Sequence, residues 1–385
     1  MKVFKRELKR PKSSFFLFGP RGTGKTTWLR SHIEPALNVN LLKASQFMEY
    51  ETNPSLLAKQ VEALPEGSWV VIDEIQKLPE LLDEVQDLIS RFEDTISFCL
   101  TGSSARKLRS HHSNLLAGRA WTREMFPINS AEMDFDFDID LILRFGTLPK
   151  VLRLPDLNEK KEFLSSYVRT YLKEEIQQEA LVRNLSKYSR FLKHAAMMNA
   201  QVLNLSEVSR EVGVKRSTLD SYFRILKETL ITFEVPASLL KAKVKEVAQP
   251  KQYFFDPGVV RALLSKLNDP LDEGSGYLFE TFILNEIRSA FGYQGETIEI
   301  EYWGVHNSGE VDFILSVGSK KIALEVKYSA KYKKEWSKSC AELLEKKKVN
   351  AAFGVYLGAD SVKDRGVHFF PLVKFLKKLH KMELV

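Results

Sequence analysis

The segment that most constrains the fold is a glycine-rich run that directly follows four apolar residues near the N-terminus. Phe15 to Phe18 predicts a buried strand, and GPRGTGKTT continues from it with the spacing GxxxxGK[ST]. Such a run turns backbone N–H groups around an anion at the start of a helix. Lys25 then reaches the β- and γ-phosphates, and Thr26 binds Mg²⁺. We therefore predict a nucleoside triphosphate site formed by Gly19, Pro20, Arg21, Gly22, Thr23, Gly24, Lys25, Thr26 and Thr27.

Strands alternate with helices after this loop, which predicts an α/β fold with a parallel sheet covered on both faces. The run SWVVIDEIQ ends in Asp73 and Glu74, and the run ISFCLTGSS carries Thr101 and Ser103 at its end. We expect Asp73 to hold Mg²⁺ and Glu74 to act as the general base on water. Ser103, with Thr101 as its competitor, is expected to contact the γ-phosphate or the water. The alternatives are solvated strand-end acids and a plain turn at TGSS.

Composition limits the class of protein and its partners. The chain has 385 residues, a formal net charge of +7 and a sequence pI of about 9.0, which mildly favours an acidic partner such as nucleic acid. Cys99 and Cys340 lie far apart and predict neither a disulfide framework nor a zinc site. No apolar run approaches the length of a membrane span. We expect a cytoplasmic protein without a membrane partner.

A helix-turn-helix follows a helical stretch that runs from Leu141 to about Ala200. In LSEVSREVGVKRSTLDSYFRILKETLI the apolar residues fall on two short helices, with the turn at Gly213 and with Ser217 placed to cap the second helix. The polar face of the second helix suits DNA phosphates and base edges, and it comprises Lys215, Arg216, Ser217, Thr218, Ser221 and Arg224. Thr232 to Tyr253 is expected to form the wing. The alternatives are a helix pair that packs against protein and a solvated hairpin.

The last part of the chain, from about Asp256, predicts a helix and then consecutive strands. Side chains alternate along a strand, so Asp312 lies on the opposite face from its apolar neighbours, and so do Glu325 and Lys327. A hairpin would bring the two acids together. With Glu280 on the preceding helix nearby, they are candidates to bind a metal ion for phosphodiester hydrolysis. The alternative is a salt-bridged, solvated strand face.

Several of these runs together resemble a known family. GPRGTGKTT, VVIDEIQ, LTGSSA, LAGRA and RFGTLP look like the AAA+ ATPases of bacteria and archaea with a DUF4143-type C-terminal region. The spacing of Asp312, Glu325 and Lys327 is similar to the D…ExK core of the PD-(D/E)XK nuclease-like fold. The resemblance implies an ATPase core at 1–135, a helical lid at 136–200, a winged helix-turn-helix at 201–255 and a nuclease-like domain at 256–385.

The same resemblance assigns further roles. It implies that Ser103 is a polar sensor and that Arg119 acts as a finger in a neighbouring subunit's site, so that the protein forms a homo-oligomer. The alternative for Arg119 is an ordinary surface arginine. A second sensor arginine is expected in the lid, with Arg144, Arg153 and Arg169 as candidates. We expect an ATPase that uses ATP and Mg²⁺ and binds DNA by its structure rather than its sequence, such as branched or broken DNA in repair or recombination. The alternatives are an ATP-regulated, Mg²⁺-dependent nuclease and a nucleotide-gated regulatory or interaction protein.

Overall fold

The computed structural model describes residues 4–93, 95–103, 119–171, 185–240, 249–305 and 309–384. The chain divides into two compact units. The N-terminal unit comprises Arg6–Pro127 and Ile225–Ile231. The C-terminal unit comprises Met1–Lys5, Ile128–Arg224 and Thr232–Val385. In the described part of the chain, no helix is both long enough and apolar enough to cross a membrane.

The N-terminal unit is built on a five-stranded sheet in the order β2-β3-β4-β1-β5, and neighbouring strands pair in parallel. This confirms the predicted parallel α/β sheet. Its strands are β1 (Phe15–Phe18), β2 (Leu37–Asn40), β3 (Trp69–Asp73), β4 (Ser97–Gly102) and β5 (Trp121–Glu124). Its helices are α1 (Lys25–His32), α2 (Ala44–Thr52), α3 (Leu56–Glu62) and α4 (Leu81–Arg91).

The core of this unit follows from apolar residues on strands that are covered on both faces. All four residues of β1 are buried, as are the central residues of β3 and β4. Helix α4 buries one apolar stripe against the sheet, as its spacing predicts, and that stripe comprises Leu81, Leu82, Val85, Leu88 and Ile89. The sequence therefore positions the carboxyl ends of three central strands at one edge of the sheet.

The C-terminal unit begins with helices. They are α5 (Ile139–Phe145), α6 (Pro149–Arg153), α7 (Leu157–Ser166), which continues into a π-helical turn at Tyr167–Tyr171, and α8 (Leu185–Met197). Residues 172–184 of the predicted lid lie outside the described residues. Asp138 and Asp156 accept backbone N–H bonds at the starts of α5 and α7, which satisfies donors that lack a partner within the helix.

The predicted helix-turn-helix is formed by α9 (Leu205–Val212) and α10 (Arg216–Glu228). Gly213 ends α9 in the left-handed region, with φ of 70°, and Asn204 caps its start. Ser217 was expected to cap α10 but lies within its first turn, because the helix already begins at Arg216.

An antiparallel sheet accompanies these helices, in the order β6-β8-β7. Its strands are β6 (Gln201–Val202), β7 (Thr232–Val235) and β8 (Lys251–Phe254). Residues 241–248 of the predicted wing lie outside the described residues.

A six-stranded mixed sheet forms the rest of the C-terminal unit, in the order β13-β14-β12-β11-β10-β9. Its strands are β9 (Glu299–Val305), β10 (Gly309–Val317), β11 (Lys320–Lys327), β12 (Ala351–Tyr356), β13 (Val362–Asp364) and β14 (Val367–Pro371). Strands β9 to β11 form an antiparallel meander, and β11 pairs with β12 in parallel. The helices of this region are α11 (Pro257–Leu263), α12 (Gly276–Gln294), α13 (Lys338–Glu345) and α14 (Leu372–His380).

The run RFGTLP packs against the start of α11. The Asp256 side chain accepts hydrogen bonds from the backbone N–H groups of Thr147 (2.8 Å) and Val259 (3.0 Å). Gly146 has φ of 74°, and a Cβ there would lie 2.0 Å from Asp256 Oδ1. Only glycine fits so close to this carboxyl group. Burial raises the pKa of Asp256 to about 7.

Candidate active site

The glycine-rich run lies between β1 and α1, at the carboxyl edge of the parallel sheet. Gly24 precedes α1 in a left-handed conformation, with φ of 99°, which lets the chain turn sharply into the helix. The loop therefore lies at the edge where ligands bind in open α/β sheets. This is the arrangement that the spacing GxxxxGK[ST] predicts for a phosphate-binding loop.

Lys25 is buried, with 7% of its surface exposed, and its amine donates to the Gly19 carbonyl at 2.7 Å and the Pro20 carbonyl at 3.3 Å. Thr23 Oγ1 also donates to the Pro20 carbonyl, at 2.8 Å. The amine is thus held within the loop and directed along its inner surface. A side chain placed in this way can exchange carbonyl oxygens for phosphate oxygens without leaving the loop.

Arg6 also contacts the glycine-rich loop, which the sequence did not predict. Its guanidinium donates to the carbonyls of Thr23 (2.7 Å) and Phe126 (2.6 Å), which ties the loop to the segment after β5. No sequence pattern indicates this contact, because Arg6 lies in a basic N-terminal run that is typical of a solvated segment. A planar fork with several donors is well suited to hold two carbonyls at once.

Asp73 and Thr101 meet at the carboxyl ends of β3 and β4. The buried Thr101 hydroxyl donates to Asp73 Oδ1 and accepts from the backbone N–H of Glu74 at 3.2 Å. Thr101 therefore orients the acid and the residue after it. Because its hydroxyl proton is already engaged, Thr101 is the weaker candidate for a group that contacts phosphate or water.

Glu74 adopts the left-handed backbone region, with φ of 62°, which is uncommon for a residue other than glycine. Its side chain accepts a hydrogen bond from Gln76 Nε2, and Ser103 Oγ lies 3.5 Å from its Oε2. Gln76 Nε2 also donates to Ser103 Oγ at 3.1 Å. Sequence reasoning missed Gln76, although it stands two residues after Glu74 in the run DEIQ. The structure thus brings Glu74, Gln76 and Ser103 into one polar cluster.

A magnesium site is compatible with the neighbouring residues. Thr26 and Asp73 line a common cavity of about 630 Å³ along α1, β2 and β3, together with Asn38 and Asn40. Hydroxyl, carboxylate and amide oxygens are the hard ligands that Mg²⁺ prefers. Thr26 and Asp73 are therefore the residues that would hold the ion.

Arg119 lies at the opposite edge of the same sheet. Trp121 at the start of β5 pairs with Phe15 at the start of β1, so Arg119 lies before the amino end of both strands. The glycine-rich loop follows the carboxyl end of β1, about 13 Å further along at the rise of an extended strand. Arg119 is exposed and does not reach the nucleotide site of its own chain. Of the lid candidates, Arg144 and Arg153 are half-buried and Arg169 is exposed.

The predicted DNA-binding residues occupy one accessible side of the helix-turn-helix. Lys215, Arg216, Ser217 and Arg224 are exposed, whereas Thr218 and Ser221 are half-buried. Arg224 contacts Ser221 Oγ at 3.4 Å. The apolar residues of α10 are buried, so its polar face is presented to solvent as the spacing predicts.

The predicted nuclease-like residues come together in the C-terminal sheet. The backbone N–H of Val326 donates to Asp312 Oδ2 at 2.7 Å. Lys327 Nζ lies 2.6 Å from Glu325 Oε1 and 3.5 Å from Asp312 Oδ2. Asp312 and Glu325 are themselves almost fully buried, at 5% and 6% exposed. The predicted face is therefore enclosed rather than solvated.

Lys251 on β8 enters the same cluster and was missed, because the sequence placed it in the wing. Its amine pairs with Glu310 and lies 4.0 Å from Glu280. Burial raises the pKa of Glu280 to about 8, with repulsion from Asp312 as a further cause. Burial likewise raises the pKa of Glu325 to about 8. The amines of Lys251 and Lys327 thus lie among four acids, which are Glu280, Glu310, Asp312 and Glu325.

These contacts bear on the predicted nuclease metal. Glu325 Oε2 is buried without a hydrogen-bond partner among the described residues, which by itself would suit a cation. Lys327 Nζ, however, already bridges Asp312 and Glu325. The described residues contain no group of three or more His, Cys, Asp or Glu that could hold a metal ion. Asp312 and Glu325 stay candidates for a metal site, and Lys327, which belongs to the predicted set, contacts both.

Three family models match successive parts of the chain. The AAA domain matches residues 11–134, the domain of unknown function DUF8612 matches residues 137–270, and the domain of unknown function DUF4143 matches residues 275–375. The first and last matches confirm the resemblance inferred from the motifs. The DUF8612 match spans the segments expected to form the lid and the helix-turn-helix.

Similar proteins occur in bacteria and archaea. The uncharacterized proteins Rv2008c of Mycobacterium tuberculosis and Mb2031c of Mycobacterium bovis are each 23% identical over 316 residues, which cover 81% of this chain and 69% of theirs. The uncharacterized protein MJ1544 of Methanocaldococcus jannaschii is 20% identical over 341 residues, which cover 81% of this chain and 74% of that protein.

Two solved structures from Aeropyrum pernix also show some similarity to the chain. The ORC1 protein in complex with DNA has a TM-score of 0.28 and 14% identity, and the match covers 67% of this chain and 87% of that chain. The ORC2 protein in its ADP form has a TM-score of 0.33 and 12% identity, and the match covers 67% of this chain and 89% of that chain.

Proposed function

Because an AAA domain holds the nucleotide-loop residues and α10 presents an exposed basic face, we propose that the chain binds ATP with Mg²⁺ and hydrolyses it in a cycle coupled to DNA. The observation that carries the hydrolytic part is the convergence of loop and strand-end residues at one edge of the parallel sheet. Lys25 and Thr26 follow β1, Asp73 and Glu74 follow β3, and Ser103 follows β4.

Each of these residues has a role that its position supports. The loop amides and Lys25 hold the β- and γ-phosphates, and Thr26 with Asp73 holds the metal ion. A bound Mg²⁺ neutralises charge that develops on the phosphate oxygens. Glu74 accepts the proton of the attacking water, and Ser103 orients that water or the γ-phosphate. Gln76 positions Glu74 through the hydrogen bond that joins their side chains.

Two variants test the hydrolytic proposal. Lys25→Ala should lose ATP binding, measured by fluorescence of a labelled ATP analogue, because the loop loses its cation. Glu74→Gln should bind the same analogue as the wild type but lose turnover, since an amide cannot accept the proton. Retention of wild-type turnover by Glu74→Gln would exclude Glu74 as the base.

We also propose that Arg119 acts in the site of a neighbouring subunit within a homo-oligomer. Its location at the amino edge of the sheet, away from its own nucleotide loop, supports this role. An arginine supplied to the transferring phosphate can accelerate hydrolysis by about 10³–10⁵-fold. Lys25→Ala and Arg119→Ala should each be inactive alone, whereas their mixture should regain turnover. A fully active monomer, or a mixture that stays inactive while it forms hetero-oligomers, would contradict the proposal.

DNA binding is proposed for the exposed polar face of α10. A Lys215→Ala, Arg216→Ala double variant should bind duplex DNA more weakly and lower the slope of log affinity against log salt by about 1 for each phosphate that is no longer neutralised. Lys363→Ala is a matched control, because Lys363 is exposed on a distant strand of the same unit. Equal salt slopes in the two variants would favour the alternative, a nucleotide-gated regulator whose helix pair binds protein.

DNA cleavage is not part of this proposal. The amines of Lys251 and Lys327 already pair with acids of the cluster, so we expect plasmid DNA to stay supercoiled with Mg²⁺ or Mn²⁺. Nicking that appears with the wild type and disappears in Asp312→Ala would instead establish the alternative of a metal-dependent nuclease.

A further inference from the structure

We propose that a basic cleft in the C-terminal unit binds phosphate groups, separately from both the nucleotide loop and the helix-turn-helix face. The cleft has a volume of about 490 Å³ and lies among α7, the π-helical turn, α8 and the segment that follows α11. Its size is that of an ordinary ligand site. The residues that line it include Lys161, Arg169 and Lys193, and among the residues that the structure describes no lining residue is acidic.

The three cationic side chains have no bonding partner among the described residues. Neither Lys161, Arg169 nor Lys193 makes an ion pair or a side-chain hydrogen bond there. The preceding lysine provides a contrast, since Lys160 is buried and its amine donates to the Val151 carbonyl. Three like charges that face one concave space, with no carboxylate among its described lining residues, produce a positive potential that attracts anions.

Hydroxyl groups complete the donor set. Ser165, Ser189 and Ser265 line the cleft beside the cations, and their hydroxyls have no hydrogen-bond partner among the residues that the structure describes. Phosphate oxygens in protein complexes are bound mainly by Arg and Lys together with Ser, Thr and backbone donors. The combination of cations and unused hydroxyls therefore selects a phosphate in preference to an apolar ligand.

Internal hydrogen bonds hold one wall of the cleft, the segment that follows α11. The buried Arg261 donates to the carbonyls of Lys266 and Asp269, which holds the segment after α11. Ser265 has φ of 59°, and its N–H and that of Lys266 bond to carbonyls of the last turn of α11, at 3.1 Å and 2.9 Å. Carbonyl groups at a helix C-terminus repel anions, but these are engaged. Val168 and Arg169, which also line the cleft, lie on a π-helical turn, a feature frequent at functional sites.

Phosphate in this cleft has two sources that share the same chemistry, the backbone of a nucleic acid and a free phosphate compound. The first test is the affinity of the full chain for a labelled duplex, measured over a range of salt concentrations. An Arg169→Ala, Lys193→Ala double variant is compared with Arg190→Ala, which removes an exposed cation from α8 that does not line the cleft. All chains carry Lys25→Ala, so that the nucleotide loop contributes equally little.

The second test is isothermal titration with inorganic pyrophosphate in the same chains. If DNA is the source, the cleft variant loses about tenfold in duplex affinity and its salt slope falls by about 2, while Arg190→Ala changes neither by as much. If a free compound is the source, duplex affinity is unchanged and the heat of pyrophosphate binding is lost only in the cleft variant. Both quantities equal to those of Arg190→Ala would overturn the proposal. The pyrophosphate test involves no DNA. The proposal that the cleft binds phosphate can therefore be confirmed even if the proposed coupling of ATP hydrolysis to DNA fails.

Discussion

The neighbouring polar residues Thr101 and Ser103 are expected to respond differently to removal of their hydroxyls. Thr101→Val keeps the shape of the side chain but removes one hydrogen bond to the Asp73 carboxyl and one from the Glu74 N–H. A hydrogen bond to a charged group contributes about 1.5–3 kcal/mol and an ordinary one about 0.5–1.5 kcal/mol. Since Thr101 is fully buried, no water replaces them. We expect the N-terminal unit to lose about 2–4 kcal/mol of stability, which corresponds to a melting temperature about 10 °C lower.

Ser103→Ala should instead affect turnover. Its hydroxyl accepts from Gln76 at 3.1 Å and lies 3.5 Å from Glu74, so it makes no strong structural bond. Removal of an interaction made only during hydrolysis, at about 1 kcal/mol, would slow turnover about 5-fold. The melting temperature should change by less than about 3 °C.

Melting curves and steady-state ATP turnover, measured on both variants, separate the two roles. Thr101→Val must show the larger loss of melting temperature, and Ser103→Ala must slow turnover while its melting curve stays near that of the wild type. The reverse pattern, with a stable Thr101→Val that cannot hydrolyse ATP and a fully active Ser103→Ala, would refute the assignment of Ser103 as the sensor.

Further predictions concern the C-terminal unit. Lys251→Met should lower its free energy of unfolding by about 1.5–3 kcal/mol in urea titrations, since the half-exposed Glu310 loses its charged hydrogen-bond partner and the amine next to Glu280 is removed. An unchanged midpoint would contradict a stabilising role for this ion pair. Stability should also fall as the pH rises from about 4 to 7, because the buried Asp256 carboxyl has a folded pKa of about 7 instead of 3.8 and resists ionisation. Asp256→Asn should reduce that pH dependence, and equal slopes in both chains would refute it. Gly146→Ala should prevent folding, because its Cβ would collide with the Asp256 side chain. Gly213→Ala should cost only about 1 kcal/mol of backbone strain, because no atom lies within 4 Å of a Cβ placed there. Circular dichroism spectra of the two variants distinguish a folded from an unfolded chain.

The sequence predicts the structure best where the interacting residues are close together in the chain. The glycine-rich run, the strand that ends in Asp73 and Glu74, and the apolar stripe of α4 are each local patterns, and each predicts an element that the structure contains. The helix-turn-helix was predictable for the same reason, since helical periodicity and one left-handed glycine define it. Its capping residue was wrong because a one-residue difference in the start of α10 moves Ser217 into the helix.

Contacts between distant segments were beyond such patterns. Arg6 reaches Phe126 across 120 positions of the chain, and Lys251 reaches Glu310 across 59. No periodicity links such pairs, so the sequence assigns Lys251 to a wing, whereas its amine pairs with Glu310 in the acidic cluster. The alternation along β10 and β11 predicted which side chains share a face, but not that this face is enclosed. Burial, which raises the pKa of Glu280 and Glu325, is a property of the packed unit.

The most direct test of the central claim is the rate of ATP hydrolysis by the full chain, measured with duplex, single-stranded and four-way DNA. We predict Mg²⁺-dependent turnover that at least one of these DNAs increases several-fold, with no increase in the Lys215→Ala, Arg216→Ala variant. Turnover that no DNA changes, or stimulation that persists in that variant, would contradict coupling through this face. A wild-type chain that binds ATP but never hydrolyses it would contradict the assignment of Glu74 as the base.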